Sequence, residues 1–128
     1  MRLLLDTHVA LWAITDSPKL AEEARRLIRV PANQIHISAA SVWEISIKHG
    51  LGRGAVPLSG SEAAAWFAKA GYAFLPVTAE HAALVEALPA HHGDPFDRML
   101  VAQALAEPMR LMTHDPLVAR YSDTTILV

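Results

Sequence analysis

The sequence predicts an α/β fold, with a mostly parallel central sheet of about five strands and helices on both faces. Three observations predict it. Short apolar runs alternate with longer segments of helical periodicity. Ser, Thr, Asp or Pro stands where most helices should begin, and Gly or Pro where most should end. The alternation continues through all 128 residues without a repeat, a low-complexity tract or a linker. Strands joined by helical crossovers give this pattern, and one domain over 1–128 is expected.

Residues 2–5 form an apolar run that stops at Asp6, as a buried strand does. Helical patterns follow over about 8–14 and 19–30. Ser17-Pro18 marks the start of the second, and Leu20, Ala24, Leu27 and Ile28 share one face. Ile35-His36-Ile37 reads as a second strand. Ser38 is a good N-cap for a helix to about His49, stopped by Gly50 and Gly52. Residues 50–57 are the main loop. A helix from about Glu62 to Ala70 ends at Gly71, and 73–77 is a third strand. Thr78 caps a helix through about Leu88. Asp94-Pro95 opens another to about Ala106, with proline where its missing N–H costs nothing. Strands are expected at 110–113 and 125–128, with a short helix between them from Asp115-Pro116.

Composition narrows the function. Hydrophobic residues make up 52% of the chain and charged residues 19%, an ordinary globular balance. There is no cysteine, which excludes a disulfide framework, a thiol nucleophile and a Cys-ligated zinc site. Asp6 and His8 interrupt the Leu3-Leu4-Leu5 run before a signal-peptide core forms, and no apolar stretch spans a bilayer. A cytoplasmic protein without a membrane partner is expected. The formal net charge of −2 argues against a polybasic nucleic-acid coat. It leaves room for a nuclease whose acidic site is neutralised by metal.

Four acidic signals carry the functional reading: Asp6, Glu44, Asp97 with its neighbour Asp94, and Asp115. Asp6 and Asp115 directly follow predicted strands, at the strand ends where α/β crevices form. Each acid also has a structural use. Asp6, Asp94 and Asp115 can cap helices. Glu44 can pair with Lys48 at i,i+4 for about 0.2–0.5 kcal/mol. Asp97 is harder to explain this way, because it shares a face with Leu100, Val101 and Ala104, and a core-facing carboxylate is costly unless paired or metal-bound. The helix of Glu44 is apolar around most of its circumference, so it should be well buried, with Ser41, Glu44 and Lys48 as a narrow polar stripe facing water or a site. Converged carboxylates suit Mg²⁺ or Mn²⁺. Of seven histidines, most read as surface or supporting residues, and His8 and His114 stand beside proposed ligands. No His-Glu-x-x-His, dinucleotide, Walker or nucleophile-elbow motif is present.

Taken together these segments resemble the PIN-domain ribonucleases, specifically the VapC-like toxins of toxin–antitoxin pairs. The matching stretches are Leu4-Leu5-Asp6-Thr7-His8, Ile37 to Ile45 with Lys48, Asp94-Pro95-Phe96-Asp97-Arg98 through Ala104, and Thr113-His114-Asp115. The resemblance implies a single PIN-like domain with a catalytic, metal-binding set of Asp6, Glu44, Asp97 and Asp115, and Asp94 and Thr113 as auxiliaries. It implies Mg²⁺- or Mn²⁺-dependent endoribonuclease activity by an activated water, leaving a 5′-phosphate and a 3′-hydroxyl. It also implies a homodimer and a cognate antitoxin partner. Arg98, Lys48 and Arg53 are candidates for contacts to RNA phosphates, and Arg98 could equally pair with a neighbouring acid. The alternatives are a non-catalytic module that binds RNA or antitoxin, and another metal-dependent phosphoester hydrolase.

Overall fold

The computed structural model describes residues 1–52 and 56–128. The strands β1 (Arg2–Leu5), β2 (Gln34–Ser38), β3 (Ala73–Leu75), β4 (Arg110–Thr113) and β5 (Ile126–Leu127) form one sheet in the order β3-β2-β1-β4-β5. Every neighbouring pair is parallel, with Leu5 opposite both Ile37 and Met112. The expected mostly parallel sheet is therefore parallel throughout the described residues.

The connecting helices are α1 (Thr7–Ile14), α2 (Glu22–Arg29), α3 (Ala39–Gly50), α4 (Gly60–Lys69), α5 (Ala79–Leu84), α6 (Pro95–Ala106) and α7 (Pro116–Ala119). A 3₁₀ turn at Val85–Ala87 continues α5. Strand β1 shows why helices cover both faces. Its three leucines are fully buried, and their direction alternates with the period-2 pleat. Leu3 and Leu5 meet Val9, Leu27, Ile45 and Phe67 on one side. Leu4 meets Leu100, Val101, Leu111 and Val118 on the other. A strand buried on both faces is apolar without alternation, which is why Leu3-Leu4-Leu5 is legible as one.

From β1 the chain builds outward to β2 and β3 on one side, then returns to place β4 and β5 on the other. The direction of winding reverses between β1 and β4. In an open parallel sheet, the crevice beyond the carboxyl ends of such a pair is where ligands bind. Asp6 follows β1 there, and Thr113 ends β4 with Asp115 just beyond.

Several expected boundaries move. Helix α2 begins at Glu22, not near 19, because Ser17 closes a turn of its own: its carbonyl accepts from Leu20 N–H and its hydroxyl from Lys19 N–H. Helix α4 begins two residues early, where Ser59 and Glu62 form a reciprocal capping box. Gly60 in its first turn lies against α3, and a Cβ there would overlap the Ser46 side chain. Strand β3 stops at Leu75, before Pro76, which has no N–H to give the ladder.

The larger correction concerns α3. The helix is not buried all round: Trp43 is 63% exposed, and Ile47 is exposed as well. The buried face carries Ala40, Ser41, Glu44 and Ile45. The polar stripe is thus turned inward, and much of the apolar side is left to solvent.

Candidate active site

Asp6 caps α1, with Oδ1 accepting the Val9 N–H at 2.8 Å. Its Oδ2 accepts the Thr113 hydroxyl at 2.5 Å, and the same hydroxyl oxygen accepts the Asp115 N–H at 3.1 Å. Thr113 therefore ties the end of β1 to the start of α7. Asp115 caps α7 through Oδ1, which accepts from Leu117 N–H at 2.8 Å. Asp94 caps α6, accepting from Phe96 N–H at 2.8 Å and Asp97 N–H at 3.3 Å. The capping expected of Asp6, Asp94 and Asp115 is present, and in Asp6 and Asp115 the second carboxylate oxygen, Oδ2, meets Thr113 and His92 respectively. A cavity of about 480 Å³ is lined by Asp6, His8, Trp12, Asp97, His114 and Asp115.

Glu44 stands behind this cavity and does not line it. Its side chain is buried, and Oε1 accepts the Thr7 hydroxyl at 2.7 Å, which also lies 3.0 Å from the Ser41 hydroxyl. Oε2 pairs with Lys48 Nζ at 2.5 Å. The i,i+4 pair expected from spacing is present, but it sits at the site rather than in solvent. Burial opposes the Lys48 charge. The Glu44 hydrogen bond and the charges of Glu44, Asp94 and Asp97 outweigh it, so the ammonium pKa is raised. Lys48 is thus held at the acidic centre.

Asp97 is the electrostatic focus. Among the described residues its carboxylate accepts no hydrogen bond, and the nearest basic side chain is His92, with Nε2 at 3.6 Å. Its pKa is raised to about 7, first by burial and then by the charges of Asp94, Asp6 and Glu44, with His92 working the other way. Burial also raises Asp6, against the Thr113 hydroxyl, the Val9 N–H and His8. Two carboxyls with raised pKa values, in a pocket with a third acid, form a cluster short of positive charge.

Sequence reasoning placed His92 among the surface or supporting histidines without a partner, and singled out His8 and His114 instead. In the fold the His92 Nδ1 accepts the Asp94 N–H at 2.9 Å, so the hydrogen of a neutral ring sits on Nε2. That nitrogen faces Asp115 Oδ2 at 2.9 Å. His92, Asp97 and Asp115 bring one potential ligand atom each within 4.8 Å of one another. The tautomer makes His92 a donor that holds Asp115 in place. Thr7 was missed, since a threonine after an aspartate carries no signal until α3 is placed against it.

Arg98 points elsewhere. Its guanidinium donates to the carbonyls of Val85, Leu88, Pro89 and His92 and to the Tyr121 hydroxyl, at 2.9–3.5 Å. Among the described residues no carboxylate lies within ion-pairing distance of it, so the alternative of a neighbouring acid is not realised. The planar fork gathers the loop that carries His92. Arg98→Lys keeps the charge but not the fork. It is expected to cost about 2 kcal/mol of stability in chemical denaturation, the scale of a few charged hydrogen bonds. Unchanged stability with weakened RNA binding would instead return Arg98 to phosphate contact. Arg53, the third expected contact, lies outside the described residues.

The PIN domain family model matches residues 3–123 of the chain. No curated protein matches it by sequence. Among solved structures, VapBC2 from Rickettsia felis bound to a promoter DNA fragment is similar at 18% identity and a TM-score of 0.69, covering 100% of this chain and 98% of that one. A toxin–antitoxin complex from Klebsiella pneumoniae is similar at 15% identity and a TM-score of 0.66, over 97% and 95% of the two chains. VapBC-1 from nontypeable Haemophilus influenzae gives 16% identity and a TM-score of 0.63, over 100% and 97%. Identities this low speak to the fold.

Proposed function

The chain belongs to the PIN domain family, and from that premise we propose that residues 1–128 form one domain acting as a Mg²⁺- or Mn²⁺-dependent endoribonuclease, the cytoplasmic toxin of a toxin–antitoxin pair. One observation carries the reading. Asp6, Asp97 and Asp115 converge on one cavity at the carboxyl ends of β1 and β4, where burial, and then the charges of neighbouring acids, raises the Asp97 pKa to about 7. The donor set fits a hard divalent cation, being carboxylate oxygen at each cavity-lining acid.

When bound, the cation would polarise the phosphodiester and acidify a water. The rest falls to the chain. Asp6, Asp97 and Asp115 would hold the cation, and their capping and hydrogen bonds fix two of the three before it arrives. Thr113 keeps Asp6 turned to the cavity, and His92 does the same for Asp115. Glu44, buried against Thr7 and Lys48, supplies negative charge at short range; to hold the cation or orient the attacking water it would have to release one of those two contacts. Lys48 is the cation best placed for an RNA phosphate, Arg53 remains a candidate, and Arg98 acts through the loop. An activated water would attack rather than the ribose 2′-hydroxyl, with the 3′ oxygen leaving, so the products would be a 5′-phosphate and a 3′-hydroxyl.

One of the similar solved structures is a toxin–antitoxin complex and two are VapBC structures, which supports an antitoxin partner. A homodimer has an apolar groove of about 430 Å³ available, where Trp43, Val77 and Phe96 come together. No described helix is long and apolar enough to cross a membrane.

Chelation tests the reading. EDTA is expected to remove cleavage of a mixed RNA substrate, and Mg²⁺ or Mn²⁺ to restore it. Cleavage that persists in chelator would overturn the metal-dependent assignment.

A further inference from the structure

The wall of the carboxylate cavity has a second side. His8 and Trp12, four residues apart on α1, project along one helix face. Both line the carboxylate cavity, and both line a neighbouring cavity of about 490 Å³. Leu11 and Ile45 give the neighbour an apolar wall, while Lys19 and Lys48 give it positive charge. An aromatic ridge therefore stands between an acidic pocket and a basic one. The ridge is pre-set. The Trp12 and His114 rings meet edge to face at 5.4 Å and 74°, and His8 lies 6.0 Å from Trp12. His114 is itself fixed, with Nδ1 at 2.6 Å from the Val128 carbonyl. Among the described residues the Trp12 indole N–H has no protein acceptor.

A short RNA segment has matching parts: two successive backbone phosphates and, pendant from the ribose between them, a flat base. Unpaired bases stack on Trp and His side chains, and a base held in a duplex cannot. Resting on the ribonuclease reading above, we propose that Trp12, flanked by His8 and His114, is a stacking platform for an unpaired base beside the cleaved phosphodiester, with the neighbouring phosphate toward Lys48 and Lys19. The platform makes Trp12 a specificity-determining residue for the base beside the cut.

The test is binding of short oligouridylate and oligoadenylate, and of an equally long oligomer with abasic central positions, by fluorescence anisotropy in Ca²⁺. Wild type is expected to bind the base-bearing oligomers roughly ten- to a hundred-fold more tightly than the abasic one. Trp12→Ala should lose that preference while binding the abasic oligomer as wild type does. Trp12→Phe should retain most of it, and Trp66→Ala, on the exposed face of α4, all of it. Equal wild-type affinity for base-bearing and abasic RNA overturns the proposal, and that arm needs no variant to fold. An equal loss on both oligomers in Trp12→Ala overturns it as well, marking a packing defect. RNA affinity unchanged in Trp12→Ala assigns the ridge to another occupant, a protein segment included, and also overturns it. Wild type that cuts RNA yet ignores the bases defeats this proposal alone, whereas wild type that neither binds nor cuts RNA defeats the ribonuclease reading with it.

Discussion

Asp97→Asn is expected to lower metal-dependent RNA cleavage by about a thousand-fold while leaving the chain folded. Losing a group that only supports a metal ligand costs about 10–100-fold, and losing a ligand itself should exceed that. The variant keeps the shape of the side chain and removes its charge. No fold contact is lost with it, since among the described residues the Asp97 carboxylate accepts no hydrogen bond and its only ion-pair partner is His92 at 3.6 Å. Its backbone N–H still reaches the Asp94 cap. A folded Asp97→Asn with wild-type cleavage would remove Asp97 from the catalytic set and leave the cavity without its electrostatic focus.

In chelator, the wild type is expected to lose stability relative to Asp97→Asn as pH rises from about 4 to about 7. The unfolded Asp carboxyl titrates near 3.9, whereas the folded Asp97 pKa stands at about 7. Between those values the folded chain keeps a proton that the unfolded chain has released. Raising the pH therefore favours unfolding, and the contribution, complete below pH 4, is lost as pH passes through 7. The difference between the two proteins at pH 8 would be on the order of 4 kcal/mol at most, with Asp97→Asn the more stable. Burial of Asp6 acts in the same direction. Divalent metal should reverse the trend by replacing the proton, so metal binding should tighten with rising pH up to about 7 and release protons to the buffer. Denaturant melts in EDTA at several pH values, and calorimetry in buffers of different ionisation heat, read these effects. Parallel pH profiles for wild type and Asp97→Asn would contradict the crowded-carboxylate account.

The fold was legible where burial writes itself into short stretches. Leu3-Leu4-Leu5 is continuous because both sheet faces are covered, and Asp6, Asp94 and Asp115 stand at element starts because caps obey local rules. Helix α3 shows where local rules run out. With apolar residues almost all round it, no periodicity says which face turns inward, and the fold buries Ser41 and Glu44 while exposing Trp43. Arg98 shows another limit. A guanidinium suits carboxylate, phosphate and carbonyl oxygen alike, and only the course of the chain at 85–92 selects carbonyls. His92 reads from sequence as half of a His91-His92 pair in a turn. Its role depends on the Asp94 N–H fixing its tautomer and on α7 bringing Asp115 to its other nitrogen. The candidate acids were therefore visible from their positions on strands and helices. The groups that orient them were not, because those contacts join segments far apart in the chain, as Thr113 joins Asp6 and Thr7 joins Glu44.

The most direct measurement is to incubate the purified protein with a mixed cellular RNA pool and Mn²⁺, beside Asp97→Asn, and map new 5′ ends. A few discrete 5′-phosphate ends, present only with wild type and metal, are the expected result and would also identify the target RNA. No new ends in either sample would contradict the ribonuclease account and favour a non-catalytic binding module or a hydrolase of small phosphoesters.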